Sequence, residues 1–317
     1  MNAPRTRVPR RPVHGVLLLD KPLGLSSNQA LQKCKWLLRA EKAGHTGTLD
    51  PLASGVLPLC FGAATKFSQL QLDADKTYEA TLRLGVRTST GDAEGEVVAE
   101  RAVPAISPET LLAIAKRFTG PIRQVPPMHS ALKKDGKALY EYARAGEEVE
   151  RQARSVVIHA LKLTPVDPST LHLAAKVSKG TYIRTLGEDI GEALGCGGHL
   201  TSLRRTATGH FDVAQCVTLA GLEATADDER LARLLPVEAL LPGHEGVTLG
   251  HEDAARFLSG LRRRGAWPDA GQVAVYGDDP PALLGTAHVK AGELIPSRLL
   301  SPIEIQQILG QPEAHIP

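Results

Sequence analysis

Hydrophobic and polar positions along the chain follow two periodicities. In KTYEATLRLGV, Tyr78, Ala80, Leu82 and Leu84 alternate with Thr77, Glu79, Thr81 and Arg83, the period-two pattern of a half-buried strand. RSVVIHALKLTPV and TLHLAAKVS repeat that pattern on either side of Asp-Pro turn chemistry. HGVLLLDKPLG is a continuous apolar run that predicts a short buried strand ending in a Lys-Pro turn. Helical spacing governs SSNQALQKCKWLLRA. There Ala30, Leu31, Cys34, Leu37 and Leu38 form one stripe, and Ser26 and Gln29 have capping-box spacing. SPETLLAIAKRF predicts a helix capped by Ser107 with Pro108 at its first position, and GKALYEYARAG a shorter one closed by Gly146. KGTYIRTLGEDIGEAL turns through Gly180 into a helix that buries Ile183, Leu186, Ile190 and Leu194, after which HLTSLRRTATGHF returns to strand character. TGDAEGE predicts a loop joining the Lys76 strand to EVVAE in a hairpin.

These elements give a mixed α+β chain in two parts. Residues 1–12 form a basic, Pro-rich arm expected to be mobile, and residues 13–245 a main domain ending near Pro236, Pro242 and Gly243. Residues 246–317 carry a short helical pattern in HEDAARFLSGL and the strand candidates GQVAVYG, LLGTAHVKAG and ELIPSRLL, expected to make a small β-barrel.

Composition changes this picture little. A 317-residue chain with 42% hydrophobic and 23% charged residues fits an ordinary two-domain globular protein. The net charge of +2 does not announce a nucleic-acid partner, but local clusters such as Lys133, Lys134 and Lys137, or Arg262 to Arg264, could neutralise phosphates or simply be solvated. Cys34, Cys60, Cys196 and Cys216 form no C-x-x-C pair, so neither a disulfide framework nor a zinc site is expected. No apolar run approaches membrane-spanning length and no signal-peptide pattern opens the chain, so the cytoplasm is the expected location.

One stretch stands out chemically. GHTGTLDPLASGVL sets Asp50 between two glycines and a proline, with no second carboxylate in the stretch. Asp50 can be a helix N-cap followed by Pro51 at the first helical position. The wider stretch also allows a lone catalytic carboxylate on a sharp loop that presents His45 with it. A nucleophilic carboxylate in a partly dry pocket needs a cation beside it, and Arg184, at the turn-to-helix junction after Gly180, is the candidate. Tyr78 and Tyr182 are either core tyrosines or plates for a flat substrate. Leu203 is a strand residue or a pocket wall. QVPPMHSALKKDG is a surface loop or one that contacts RNA.

Taken in order, GVLLLDKPLGLSS, GHTGTLDPLASGVLPLCFGAATK, KTYEATLRLG, QVPPMHSALKKDGKALYEYARAG, GTYIRTLGEDIG and HLTSLRRTATGHF resemble the motifs of the bacterial tRNA pseudouridine-55 synthase family. The resemblance spans about Val13 to Phe211, with a weaker tail similar to that family's PUA-like RNA-binding domain. It implies a pseudouridine-synthase fold, with a mixed, mainly antiparallel sheet flanked by helices and a cleft across it. It also implies isomerisation of a uridine in the tRNA T-loop. By motif position Asp50 matches the essential aspartate, Tyr78 the tyrosine that stacks on the base, and Arg184 the arginine that pairs with the aspartate. His45, Tyr182 and Leu203 match positions that contact the RNA or line the uracil pocket. His129 departs from the pattern, where an aromatic such as Tyr is commoner, and the Arg-rich arm lies outside it. The implied enzyme works on the T-arm as a monomer, without cofactor, metal, guide RNA or protein partner. A noncatalytic tRNA-binding or folding protein, a glycoside hydrolase and a guide-dependent synthase are the competing expectations.

Overall fold

The computed structural model describes residues 9–311. Residues 1–8 of the expected arm, including Arg5 and Arg7, lie outside that range. Beyond them the chain is tied down: the Arg11 amide donates to Arg39 O and the Arg11 carbonyl accepts from Glu41 N.

A ten-stranded sheet dominates the molecule. Its main path runs Val217–Thr218, Gly15–Lys21, Ala53–Phe61, Gly198–Thr208, Lys76–Leu84, Thr170–Val177, Arg154–Asp167, Gly120–Gln124. Two short strands, Ala43–His45 and Phe211–Asp212, pair off this path. Pairing is antiparallel except for Gly15–Lys21 with Val217–Thr218 and Gly198–Thr208 with Ala53–Phe61, so the sheet is mixed and mainly antiparallel.

The sequence periodicities appear directly in the burial. Lys76–Leu84 alternates buried and more exposed residues, while Gly15–Lys21 is covered on both faces. Helix Ser27–Leu37 starts at the expected capping box, with Ser26 Oγ accepting from Gln29 N, and buries Ala30, Leu31, Cys34 and Leu37. Helix Ile183–Ala193 packs Ile183, Leu186 and Ile190 against the same core. A close approach fixes the sheet's centre. Gly55, at φ +104°, lies opposite Arg205, and a Cβ there would sit 2.1 Å from the Arg205 carbonyl oxygen. Only glycine fits.

Two expectations change. Asp50 and Pro51 do not begin a helix: Ala53 N donates back to Asp50 O in a tight turn, and the chain enters the strand Ala53–Phe61. The apolar run after the turn finds neighbours on both sides in the sheet, and that packing overrides the local helix signal. The hairpin built on TGDAEGE does not extend the Lys76 strand. The chain breaks at Gly85, φ +84°, and a separate two-stranded sheet pairs Val86–Thr88 with Val97–Glu100.

A second, curled sheet of five strands follows, in the order Glu245–Leu249, Ala270–Asp278, Pro281–Lys290, Glu293–Leu299, Arg263–Arg264. It closes over Phe257 of the helix His251–Leu258. A final helix, Pro302–Leu309, returns to the large sheet. His14 Nδ1 accepts from Ala63 N, its Nε2 lies 3.0 Å from Gln307 Oε1, and Lys66 Nζ pairs with Glu304 at 2.6 Å.

Candidate active site

A cavity of about 330 Å³ opens across the large sheet, and Asp50, Tyr78, Tyr182, Arg184 and Leu203 all line it. They arrive from four places: the turn before Ala53–Phe61, the strands Lys76–Leu84 and Gly198–Thr208, and the start of helix Ile183–Ala193. Leu203 lies in register with Ala80 on one side and Ala53 on the other. Tyr78 is 9% exposed, with its strand neighbours Ala80 and Leu82 buried below it. It is a core tyrosine that also lines the cavity wall.

Asp50 and Arg184 meet. Asp50 Oδ2 is 2.9 Å from Arg184 Nη2, and the arginine side chain is only 6% exposed while the aspartate keeps 38%. The carboxylate therefore faces the cavity and the guanidinium lies behind it. Arg184 is held by two further acceptors and a second carboxylate: Nη1 donates to Thr90 O at 3.0 Å, Nη2 to His129 O at 2.6 Å, and Nε forms an ion pair 3.6 Å from Asp92 Oδ2. Burial pushes the Asp50 carboxyl above its usual range, while Arg184 pulls it back down and Asp92 adds to the rise. The side of Asp50 left open to the cavity moderates that push through solvent screening.

The stretch around Asp50 has no second carboxylate, but the fold supplies one. Asp92 is 4% exposed at its side chain, accepts from Thr90 Oγ1 and Glu94 N, and stands on the far side of Arg184 from the cavity. It pairs with the arginine and is not among the residues lining the cavity. In sequence it read as a turn residue of TGDAEGE. The QVPPMHSALKKDG loop also does more than cover a surface. Its His129 carbonyl grips Arg184, Ser130, Ala131 and Leu132 line the cavity, and a small hairpin pairs Lys133–Lys134 with Lys137–Ala138.

His45 is not among the cavity-lining residues. It sits on the short strand Ala43–His45 opposite Leu59, two residues before Gly47, and its Nδ1 has no hydrogen-bond partner. Burial, reinforced by nearby Arg205, lowers its pKa and favours the neutral ring. Tyr182 is half-buried; its backbone N–H donates to Gln124 Oε1 and burial raises its hydroxyl pKa.

Three cations near the cavity were not singled out as site residues in the sequence, where Arg205 read only as half of a basic cluster with Arg204. Lys21, fully buried, donates to Pro22 O and Leu25 O, and desolvation lowers its pKa to about 8 against the pull of Asp50. Lys76 donates to Gln71 O, Leu72 O and Ala74 O, and desolvation likewise lowers it to about 8. Arg205 is 1% exposed and lines the cavity wall. The signal available for Lys21 and Lys76 was position: each closes or opens a strand that carries a recognised motif. Among the described residues no group of three or more His, Cys, Asp or Glu side chains could hold a metal ion.

Residues 35–183 match the TruB family pseudouridylate synthase N-terminal domain, and residues 184–242 the tRNA pseudouridylate synthase B C-terminal domain. Both matches fall within the part of the chain that builds the large sheet. The chain is 67% identical over 318 residues to tRNA pseudouridine synthase B of Verminephrobacter eiseniae, covering 98% of this chain and 96% of that protein. It is 61% identical to the protein of the same name from Cupriavidus pinatubonensis, covering 93% of this chain and 96% of that one. Among solved structures, the fold is similar to a chain of an H/ACA RNP bound to a substrate RNA containing 2′-deoxyuridine. That match has a TM-score of 0.67 at 23% identity and covers 91% of this chain and 86% of that one. A chain of a Cbf5-Nop10-Gar1 complex matches with a TM-score of 0.65 at 25% identity, covering 96% of this chain and 83% of that one.

Proposed function

The chain belongs to the TruB family of pseudouridylate synthases, and from that premise we propose that it acts on the uridine at position 55, in the T-loop of tRNA. It is an isomerase that converts uridine to pseudouridine in tRNA. The reaction breaks the N1–C1′ bond, turns the uracil and joins C5 to C1′. The C5 proton leaves, N1 ends protonated, and no electrons are gained or lost. One anion at the right place is the chemical requirement.

The observation that carries the reading is the Asp50 carboxylate, open to the cavity with Arg184 2.9 Å behind it. In this account Asp50 is the catalytic carboxylate and Arg184 keeps it ionised against the desolvation of a filled pocket. A base stacked in a folded loop must leave the stack, at a cost of about a few kcal/mol. Tyr78 recovers part of it, since stacking a base on an aromatic ring is worth about 1–3 kcal/mol. Tyr182 and Leu203 close the walls around the uracil, and the neutral ring of His45 fills the space that the base vacates. The cavity sits at the low end of the roughly 300–1,000 Å³ typical of small-ligand sites, which suits one extruded nucleoside.

Glycoside hydrolysis also works at an anomeric carbon, but it normally places two carboxylates around the bond. Here Asp92 is buried against Arg184, and Glu94, which is exposed and feels the Asp50 charge, is not among the residues lining the cavity. The proposal further holds that the protein works alone on the T-arm, as a monomer and without guide RNA. Purified protein and an unmodified tRNA transcript, followed by pseudouridine mapping, test it. One new pseudouridine in the T-loop is expected. Modification elsewhere, or none until a guide RNA or second protein is added, would contradict it.

A further inference from the structure

Arg205 is the largest of the fully buried side chains, and no carboxylate pairs with it among the described residues. A buried cation without an anion is costly, so its retention calls for a reason. Its placement supplies one. On the strand Gly198–Thr208, Arg205 stands directly opposite Tyr78 on one side and Gly55 on the other. Cross-strand partners share a face of the sheet, and both Tyr78 and Arg205 line the cavity. From there Nε donates to Val56 O at 2.7 Å and Nη2 to Gly47 O at 3.2 Å. Gly47 begins the turn that delivers Asp50, and holds φ +75° where a Cβ would lie 3.3 Å from Arg205 Nη1.

We propose that Arg205 is a positioning residue for the isomerisation, a brace that sets the Gly47–Asp50 loop against the strand of Tyr78 and so fixes the carboxylate relative to the stacked base. The proposal rests on the reading of this cavity as the uridine site. In this role Arg205 acts without pairing with Asp50, whose cation is Arg184. The guanidinium acts through the backbone carbonyls at Val56 and Gly47, which a lysine, with a single terminal nitrogen, cannot span in the same fork geometry. A misplacement of about 1 Å at the reacting groups is enough to cost on the order of 100-fold in rate.

The test compares the parent protein with Arg205→Met, Arg205→Lys, Gly47→Ala and the Arg205→Lys/Gly47→Ala double variant. Single-turnover rate on tRNA, tRNA affinity and melting temperature are measured for each. Arg205→Met is expected to lose about 100-fold in rate with affinity within about threefold, and Arg205→Lys to recover only part of that loss. Gly47→Ala strains the loop at φ +75° as well as crowding the guanidinium, and should slow turnover in the same way. The double variant should lose less than the product of its two single losses, as coupled sites do. Should Arg205→Met fail to fold, the lysine and alanine variants carry the test. Folded variants that turn over within threefold of the parent, losses confined to affinity, or single losses that simply multiply would each overturn the brace. A parent protein that forms no pseudouridine would instead sink the functional reading beneath it.

Discussion

Below Leu249 the five-stranded sheet buries Phe257, Val273, Val275, Leu284 and Leu294, and among the described residues beyond 244 only Thr286 is a buried polar side chain. In the ten-stranded sheet and the loops and helix packed on it, Lys21, Lys76, Asp92, Arg184 and Arg205 are all buried. The small sheet keeps its charges outside, where Arg262 and Arg264 share Glu293 on an exposed edge. Such surface pairs are worth little. Buried charges cost stability unless they are fully paired and hydrogen-bonded, so their concentration around one cavity marks where the fold gives up stability for chemistry. The small sheet makes no such concession, and its packing is that of an ordinary apolar core.

The contrast predicts separable effects. After loss of Asp50 itself, Arg184→Met should be the most damaging change, lowering turnover by about 10²–10³-fold because it strips Asp50 of its cation, much as loss of a preorganised donor does elsewhere. It also strands Asp92 in the interior, and breaking such a buried pair costs about 3–5 kcal/mol, read as a lowered melting temperature. Near-normal single-turnover rates in that variant would contradict the assignment. Phe257→Ala, in the small sheet, should cost about 3–5 kcal/mol of stability through the cavity it leaves. Its single-turnover rate at saturating RNA, measured well below the melting temperature, should stay within twofold of the parent. A parallel loss of rate would show that the two regions are not energetically distinct.

Acidity gives a smaller and more graded effect. Burial raises the Asp50 pKa in the folded protein, and the reactive form is the anion. The rate should therefore fall with decreasing pH around a midpoint above the usual carboxylate value of about 4. The stability consequence has the opposite sense. The folded state holds the Asp50 proton more tightly than the unfolded chain, so this group's contribution declines as pH rises above the unfolded value. In Asp50→Asn the relieved desolvation and the lost ion pair with Arg184 oppose each other, so its melting temperature at neutral pH should change little, and a large fall would show that the pairing outweighs the desolvation.

Much of this was legible in the sequence because its signals were local. The alternation around Tyr78, the capping box at Ser26 and the stripe from Ile183 to Ile190 each specify an element without outside help. The pairing of Asp50 with Arg184 was legible as chemistry, since a lone carboxylate requires a cation. Other features depended on partners far along the chain. Arg204 and Arg205 are adjacent and look alike, yet one makes a half-exposed ion pair with Asp20 and the other is buried against Val56 and Gly47. Asp92 carried only turn chemistry until the fold set it against Arg184. Pro51 carried a helix-start signal that two neighbouring strands overruled. The helix Pro302–Leu309 has its own cap at Ser301, but its role is set by His14 and Lys66 at the other end of the chain.

The central claim is that one ionised carboxylate, Asp50, performs the chemistry while the rest of the cavity holds and orients the base. Tritium release from tRNA carrying 5-tritiated uridine, compared between the parent and Asp50→Asn at equal RNA occupancy, tests it most directly. The account predicts release by the parent, none above background by the variant, and tRNA affinity within about threefold between them. Full release by a folded, RNA-binding Asp50→Asn protein would contradict it.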